Sequence, residues 1–245
     1  MHRNSRPPPI QNQLLAALPD KEYKRLLPHL ESVSLSFMEV LYESGEPITH
    51  IYFPNDGLIS LLIVMEDETP REVGLIGNEG MLGTAVVLGM KTTPIRALIQ
   101  MPGSAVRMKA QALREELKPG GRLQSVLQRY THALFTQVSQ SAACTGSHEL
   151  KPRLARWLMM THDRAPGDEF VMKHEFMAMM LGVTRSMVTR VAGSLQNEKM
   201  IRYTRGQVTI LDRSRLEATA CECYGAVKAE YARSTAKSSI NTASG

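Results

Sequence analysis

The stretch MMLGVTRSMVTRVAGSLQ, residues 179–196, decides how this chain reads. Two runs of helical texture meet in it at Gly182-Val183-Thr184. Over 173–181, Met177, Ala178 and Leu181 fall on one side of a helix, and over 185–196 Val188, Val191, Ala192 and Leu195 do the same. Gly182 can end the first helix in a left-handed backbone, and Thr184 can cap the second through its hydroxyl. Val183 is apolar and plugs the corner, while Ala178 is small enough for two helices to cross closely. Two short helices joined by three or four residues that include a glycine make a helix-turn-helix.

The polar residues of this segment fit DNA. Arg185, Ser186, Thr189 and Arg190 occupy the start and outer side of the second helix, the part of such a motif that enters a major groove. Thr184, Lys173 and His174 lie beside them and complete the expected contact set. Arginine pairs bidentately with guanine, and serine or threonine reaches phosphate or base. Further on, IRYTRGQVTILD, residues 201–212, reads as a hairpin with Arg205-Gly206 at its turn. Arg202 and Arg205 would then form a basic wing suited to phosphate. The plain alternative is a solvated charged face on a structural hairpin. Arginine placement, turn, small crossing residue and basic wing agree with one another, which favours DNA.

Charge distribution points the same way. The chain of 245 residues carries a net charge of +5, unevenly spread. Residues 39–79 hold one base against nine acids, whereas residues 170–215 hold eight bases against three acids. An acidic front and a basic back predict two domains, with any polyanion bound at the back. A hydrophobic content of 43% is enough for real cores. No run approaches the roughly 20 apolar residues of a membrane helix, and the N-terminal MHRNSRPPPIQN lacks the apolar stretch of a secretory signal. A cytoplasmic protein without a membrane partner is expected.

Outward from the motif, the texture divides the chain. Residues 1–13 read as a mobile arm, and Leu14, Leu15, Leu18, Tyr23, Leu26 and Leu27 recur at helical spacing after it. From about 33 to 108, short β-rich runs such as HIYF, LISLLIVM, REVGLI and IRALIQM alternate with turn residues, the pattern of a small antiparallel barrel or sandwich. Helical texture resumes over 109–146, broken at Pro119-Gly120-Gly121. There Leu123, Leu127, Tyr130, Leu134 and Val138 form one apolar stripe. Such a stripe can pack on the chain's own barrel or on a second copy, and its narrow, polar-flanked form favours dimerisation. Gly146 and Pro152 bracket a hinge before a helix in LKPRLARWLMMTHDR, and the small, polar tail 233–245 is expected to be disordered. The expected domains are an effector or sensor barrel over 14–118, a dimerisation helix and hinge over 119–147, and a DNA-binding domain over 148–232.

In its motif, wing and barrel texture the chain resembles the Crp/Fnr family of bacterial transcription regulators over about residues 14–212. The resemblance is strongest in LGVTRSMVTRVAGSLQNEKMIRY, with RLARWL similar to the helix that precedes the family's DNA domain and YESGEPITHIYFPNDGLISL similar to the start of its effector barrel. It implies an α+β fold: an N-terminal antiparallel β-roll of the jelly-roll, cyclic-nucleotide-binding-like kind, a long dimerisation helix and a C-terminal winged helix-turn-helix. It also implies double-stranded DNA, a second copy of the chain and RNA polymerase as partners. Arg185, Ser186 and Arg190 match family positions that contact bases or backbone. Ser186 stands where many relatives have a glutamate that reads cytosine, so a different operator is expected.

The resemblance is weakest at the effector site. Cyclic-AMP-binding relatives have Gly-Glu and then Arg-Ser-Ala or Arg-Thr-Ala; this chain has Gly77-Asn78 and Ile95-Arg96-Ala97, with the arginine one position late. A one-residue shift in a strand turns a side chain to the opposite face. Gly77, Glu79, Arg96 and Ala97 are the candidate effector residues, with cyclic nucleotide disfavoured and either another small molecule or a scaffold role for the barrel left open. No cysteine precedes Cys144, which removes the family's N-terminal iron–sulfur arrangement. Cys144, Cys221 and Cys223 are too few and too badly spaced for a four-ligand zinc site, so reduced thiols and no metal site are expected.

Catalysis finds no convergent set of groups. His148-Glu149 begins like a zinc-protease motif, but Pro152 stands where the second histidine should be. Glu66-Asp67-Glu68 reads as a solvated turn between strands. A non-enzymatic DNA-binding regulator is expected, against the alternative of a ligand-binding or protein-docking module whose C-terminal hairpin contacts a protein.

Overall fold

The computed structural model describes residues 11–235. Most of the expected N-terminal arm and C-terminal tail lies outside them, but both boundaries need correction. Asn12 is fully buried, its amide donates to the carbonyls of Pro54 and Gly80, and its carbonyl oxygen accepts from Leu14 and Leu15. It thereby caps α1 (Gln13–Ala16) and anchors the chain before residue 14. At the other end, the last helix continues through Thr235 with Ser234 buried.

After α1 come α2 (Asp20–Leu26) and a short 3-10 turn (Leu27–His29). The barrel follows: β1 (Glu31–Leu35), β2 (Val40–Tyr42), β3 (His50–Pro54), β4 (Leu58–Val64) and β5 (Pro70–Ile76), then α3 (Thr84–Val87), β6 (Arg96–Met101) and β7 (Gly103–Lys109). Its strands pair antiparallel in two sheets, ordered β1-β7-β3 and β2-β6-β4-β5. Side chains such as Ile51, Phe53, Leu58, Ile59 and Ile99 fill the space enclosed. Glu66, Asp67 and Glu68 form the exposed β4–β5 turn, as the sequence predicts.

Helix α4 (Ala110–Leu117) leads through Gly120-Gly121 to α5 (Arg122–Ser147). The Glu22 carboxylate accepts from the backbone amides of Arg122 and Leu123, which caps α5 and favours an anion at the positive end of its dipole. The helix ends at His148, whose extended backbone (φ −115°, ψ 145°) separates it from α6 (Leu150–His162). Pro152 falls in the first turn of α6, where its missing N–H costs nothing. The DNA-domain elements are β8 (Glu169–Val171), α7 (His174–Leu181), α8 (Arg185–Asn197), β9 (Ile201–Thr204), β10 (Gln207–Ile210) and α9 (Arg213–Thr219), followed by α10 (Cys223–Thr235).

The expected dimer stripe is corrected here. Leu123, Leu127, Tyr130 and Leu134 are buried within the protomer and Val138 is half-buried, because this face of α5 packs on β5 and α3. Tyr130 donates its hydroxyl to the Met81 carbonyl at 3.1 Å, and Gln137 is buried and donates to the Leu75 carbonyl at 3.0 Å. Helix α10 returns to pack along another side of α5, where Arg129 donates to the Ser234 carbonyl. What remains exposed on α5 is a face through Gln128, His132, Phe135, Ser139 and Ala142.

Candidate DNA interface

The helix-turn-helix forms as its sequence dictates. Gly182 ends α7 in the left-handed region (φ +67°), which a Cβ would strain, and its N–H bonds back into the last turn. The Thr184 hydroxyl accepts from the Met187 amide at 3.4 Å and caps α8. Val183 is half-buried against the core, and Ala178 is buried where α7 meets α8. From outside the motif, Arg153 of α6 donates to the Leu181 carbonyl at 2.8 Å, placing a cation at the C-terminal end of α7. Lys151 of α6 pairs with Glu198, just past the end of α8, at 2.5 Å. Helix α6 is thus the platform on which both helices of the motif are oriented.

Arg185, Ser186, Thr189 and Arg190 are all exposed on α8, and the Arg185 side chain keeps 68% of its surface. Arg185 forms an ion pair with Glu175 of α7 at 3.0 Å, a solvent-exposed pairing that a stronger anionic partner can replace. The wing is a hairpin with β8 as a third strand, ordered β8-β10-β9. Thr204 pairs with Gln207 across a two-residue loop in which Arg205 (φ 52°) and Gly206 (φ 83°) both take positive φ, the twist that a tight hairpin requires. Arg202, Arg205 and Lys173 are exposed beside α8.

His174 is placed differently. It is buried, stacked on the Tyr203 ring at 3.9 Å and 16°, with Nδ1 3.0 Å from the Thr189 hydroxyl. Burial lowers its pKa, against the opposing pull of Glu175. It joins the wing to α8 instead of reaching outward. Neither Tyr203 nor Arg153 is marked by the sequence pattern, since their roles depend on contacts between elements.

The effector candidates do not converge. Glu79 is buried in an ion pair with Arg164 at 2.8 Å and also accepts from the Gly77 amide, so it ties the barrel to the end of α6. Arg96 pairs with Glu43 at 2.8 Å, half exposed, while Ile95 lines the barrel cavity and Ala97 is buried. That cavity measures about 40 Å³ and is apolar, lined by residues such as Tyr42, Leu61, Ile76 and Leu134. A cyclic nucleotide does not fit this cavity, whose space is far below the several hundred Å³ of ordinary ligand sites. A larger cavity of about 430 Å³ lies where β5, α5, α6 and α7 meet, lined by Arg71, Glu72, Arg153, Arg156 and Trp157 among others.

The cysteines lie closer together than their spacing along the chain suggests. Cys144 and Cys221 are far apart in sequence, yet the return of α10 along α5 brings Cys144, His148, Cys221 and Cys223 together. Spacing along the chain cannot show a meeting that depends on packing.

Comparison with known proteins agrees with the geometry. Residues 152–219 match the family model of the Crp-like helix-turn-helix domain. No curated protein sequence matches the chain. Among solved structures, the fold is similar to a putative Crp/Fnr-family transcriptional regulator from Eubacterium rectale, at 18% identity and a TM-score of 0.65, covering 84% of this chain and 96% of that one. FixK2 from Bradyrhizobium japonicum is similar at 16% identity and a TM-score of 0.65, covering 78% and 98%. The c-di-GMP-responsive global regulator CLP of Xanthomonas campestris is similar at 16% identity and a TM-score of 0.64, covering 78% and 99%. At these identities the likeness is one of fold. The chain therefore carries a Crp-like helix-turn-helix domain within the fold of the Crp/Fnr transcription regulators.

Proposed function

We propose that the protein is a transcription regulator of the Crp/Fnr type that binds an inverted-repeat DNA site as a homodimer. The observation that carries this reading is the exposed row Arg185, Ser186, Thr189 and Arg190 on α8, flanked by Arg202 and Arg205 on the wing hairpin. Arg185 and Ser186 reach base edges from the first turn of α8, while the wing arginines and Lys173 hold phosphate. His174 serves by holding Tyr203 and Thr189 in place. The dimer contact is assigned to the exposed face of α5 around Phe135, which keeps 69% of its surface exposed on a long helix whose other faces are packed. Two-fold symmetry would place the two copies of α8 about 34 Å apart, one turn of DNA.

The domains follow: a barrel up to residue 118, the α5 connector, and the DNA domain from 148, working in the cytoplasm at promoters with RNA polymerase. No helix among the described residues is long and apolar enough to cross a membrane. The reading assigns the protein no catalytic role. A small-molecule effector, where one acts, finds room in the cavity between barrel and DNA domain, and it shifts the protein only by binding one domain arrangement better than the other.

Anisotropy titrations of a labelled duplex over a range of salt concentrations test DNA binding against protein docking. Counterion release predicts that log affinity falls linearly with log salt, by about 0.9 per phosphate neutralised. A salt-insensitive association, or none at low salt, would reject the reading.

A further inference from the structure

Away from the DNA-facing surface, the end of α5 meets the start of α10. Cys144 lies in the last turn of α5, His148 is the residue just past it, and Cys221 and Cys223 sit at the start of α10. The Sγ atoms of Cys144 and Cys221 are 3.5 Å apart, Cys223 Sγ is 3.8 Å from His148 Nδ1, and the four donor atoms all lie within 4.8 Å of one another. The three thiols are buried in a cluster of their own, apart from the main core.

These distances are those of a tetrahedron around one ion. Bonds of about 2.3 Å from zinc to sulfur and about 2.0 Å to nitrogen put neighbouring donors about 3.5–3.8 Å apart. The Cys144–Cys221 and Cys223–His148 edges already fall in that range, and the remaining pairs need to close by about 1.3 Å at most. Four donors this close hold a single ion, not a multi-iron cluster.

Packing of small thiols explains their burial but not the orientation of His148. Its Nε2 lies 3.1 Å from the Glu222 carboxylate while Nδ1 faces the sulfurs. A ligating histidine usually donates its other ring N–H to a carboxylate, which fixes the tautomer and leaves the lone pair for the metal. Charge is also provided for: Arg153 and Arg156 both interact electrostatically with Cys144. Three thiolates around a dication leave one negative charge for these guanidinium groups to balance.

We propose that Cys144, His148, Cys221 and Cys223 form a Cys3His site for one zinc ion, with Glu222 orienting the histidine. Coordination by the reduced protein releases the three thiol protons to solvent, and no electron moves. One ligand is the hinge residue itself, so the ion fixes the backbone between α5 and α6 and ties it to α10. A Cys144–Cys221 disulfide would use two of these thiols and leave Cys223, His148 and Glu222 without a common purpose.

The test uses the full chain, produced in zinc-containing medium without a metal-chelating tag and purified with a mild phosphine reductant. Elemental analysis should find about one zinc per chain, and Cys221→Ser, left with three of the four ligands, should lose most of it after dialysis against a weak chelator. Cobalt(II) added to zinc-stripped protein should give the visible absorption of a tetrahedral site and a near-ultraviolet thiolate charge-transfer band. Should Cys221→Ser not fold, alkylation of the native protein decides instead: all three thiols should resist until a chelator is added. The proposal is overturned by reduced protein with no zinc and no cobalt charge-transfer band, by zinc content unchanged in folded Cys221→Ser, by alkylation indifferent to chelator, or by a Cys144–Cys221 disulfide in protein isolated anaerobically. None of these readouts depends on DNA binding.

Discussion

Glu72, on β5, accepts hydrogen bonds from Trp157 Nε1 at 2.6 Å and from the Ser60 hydroxyl at 2.8 Å, joining the barrel to the helix that carries the DNA domain. Burial pushes its carboxyl up to about 7 from an ordinary 4.5, against the opposing pull of those two hydrogen bonds, Arg156 and Arg164. A carboxyl raised in the folded state supports folding fully below its unfolded value, and that support is lost as pH rises through the folded one. For values of 4.5 and about 7, the loss between about pH 5 and about pH 8 comes to about 2.5 kcal/mol. Because the carboxyl lines the junction cavity, water reaches it and this figure is a ceiling. Glu72→Gln keeps an acceptor for Trp157, turns an amide donor toward the Ser60 oxygen, which can donate to Gln100 instead, and cannot ionise. Relative to the unmodified protein it should therefore gain about 1–2.5 kcal/mol of stability over that pH interval. Urea unfolding at equal protein concentration measures this, followed by emission of Trp157, the single tryptophan of the chain. The many carboxylates held below their ordinary range are common to both proteins and cancel in the difference. A difference constant to within about 0.5 kcal/mol from about pH 5 to about pH 8 would refute the reasoning.

Other consequences are equally concrete. Arg185→Ala should weaken specific DNA binding by about 1–3 kcal/mol and nonspecific binding much less, measured by competition between duplexes; equal losses would refute its base-reading role. Arg202→Ala or Arg205→Ala should weaken all sequences alike and reduce the salt slope by about 1, read from anisotropy over a salt series. Phe135→Glu should shift the protein from dimer to monomer in sedimentation without lowering helical content, whereas an unchanged dimer would place the contact elsewhere. Gly182→Ala should cost about 1 kcal/mol, seen as a lower urea midpoint, because alanine must adopt the left-handed conformation.

Local signals were readable in the sequence and longer-range ones were not. Gly182, Thr184 and the Arg205-Gly206 turn act through their own backbone and a few neighbours, so their motif and wing followed from residue types alone. The barrel followed for the same reason, from short β-rich runs and the turn residues between them. The α5 stripe shows the limit: periodicity marked Leu123, Leu127, Tyr130 and Leu134 as a buried face but could not say which surface buries it. His174 looked like a polar residue at a helix start, and only the stacking of Tyr203 from the wing explains its burial. Glu79 has the residue type of a ligand contact, whereas its partner, Arg164, lies just past the end of α6. The Cys144, His148, Cys221 and Cys223 cluster depends wholly on α10 folding back on α5.

The central claim, that a symmetric dimer of this chain reads DNA through α8, is tested most directly by selecting bound duplexes from a random pool with the purified protein near physiological salt. The account predicts enrichment of an inverted repeat whose half-sites are centred about one helical turn apart, with the enrichment lost on Arg185→Ala. Recovery of sequences no different from the starting pool, by protein shown to be folded and dimeric, would contradict it.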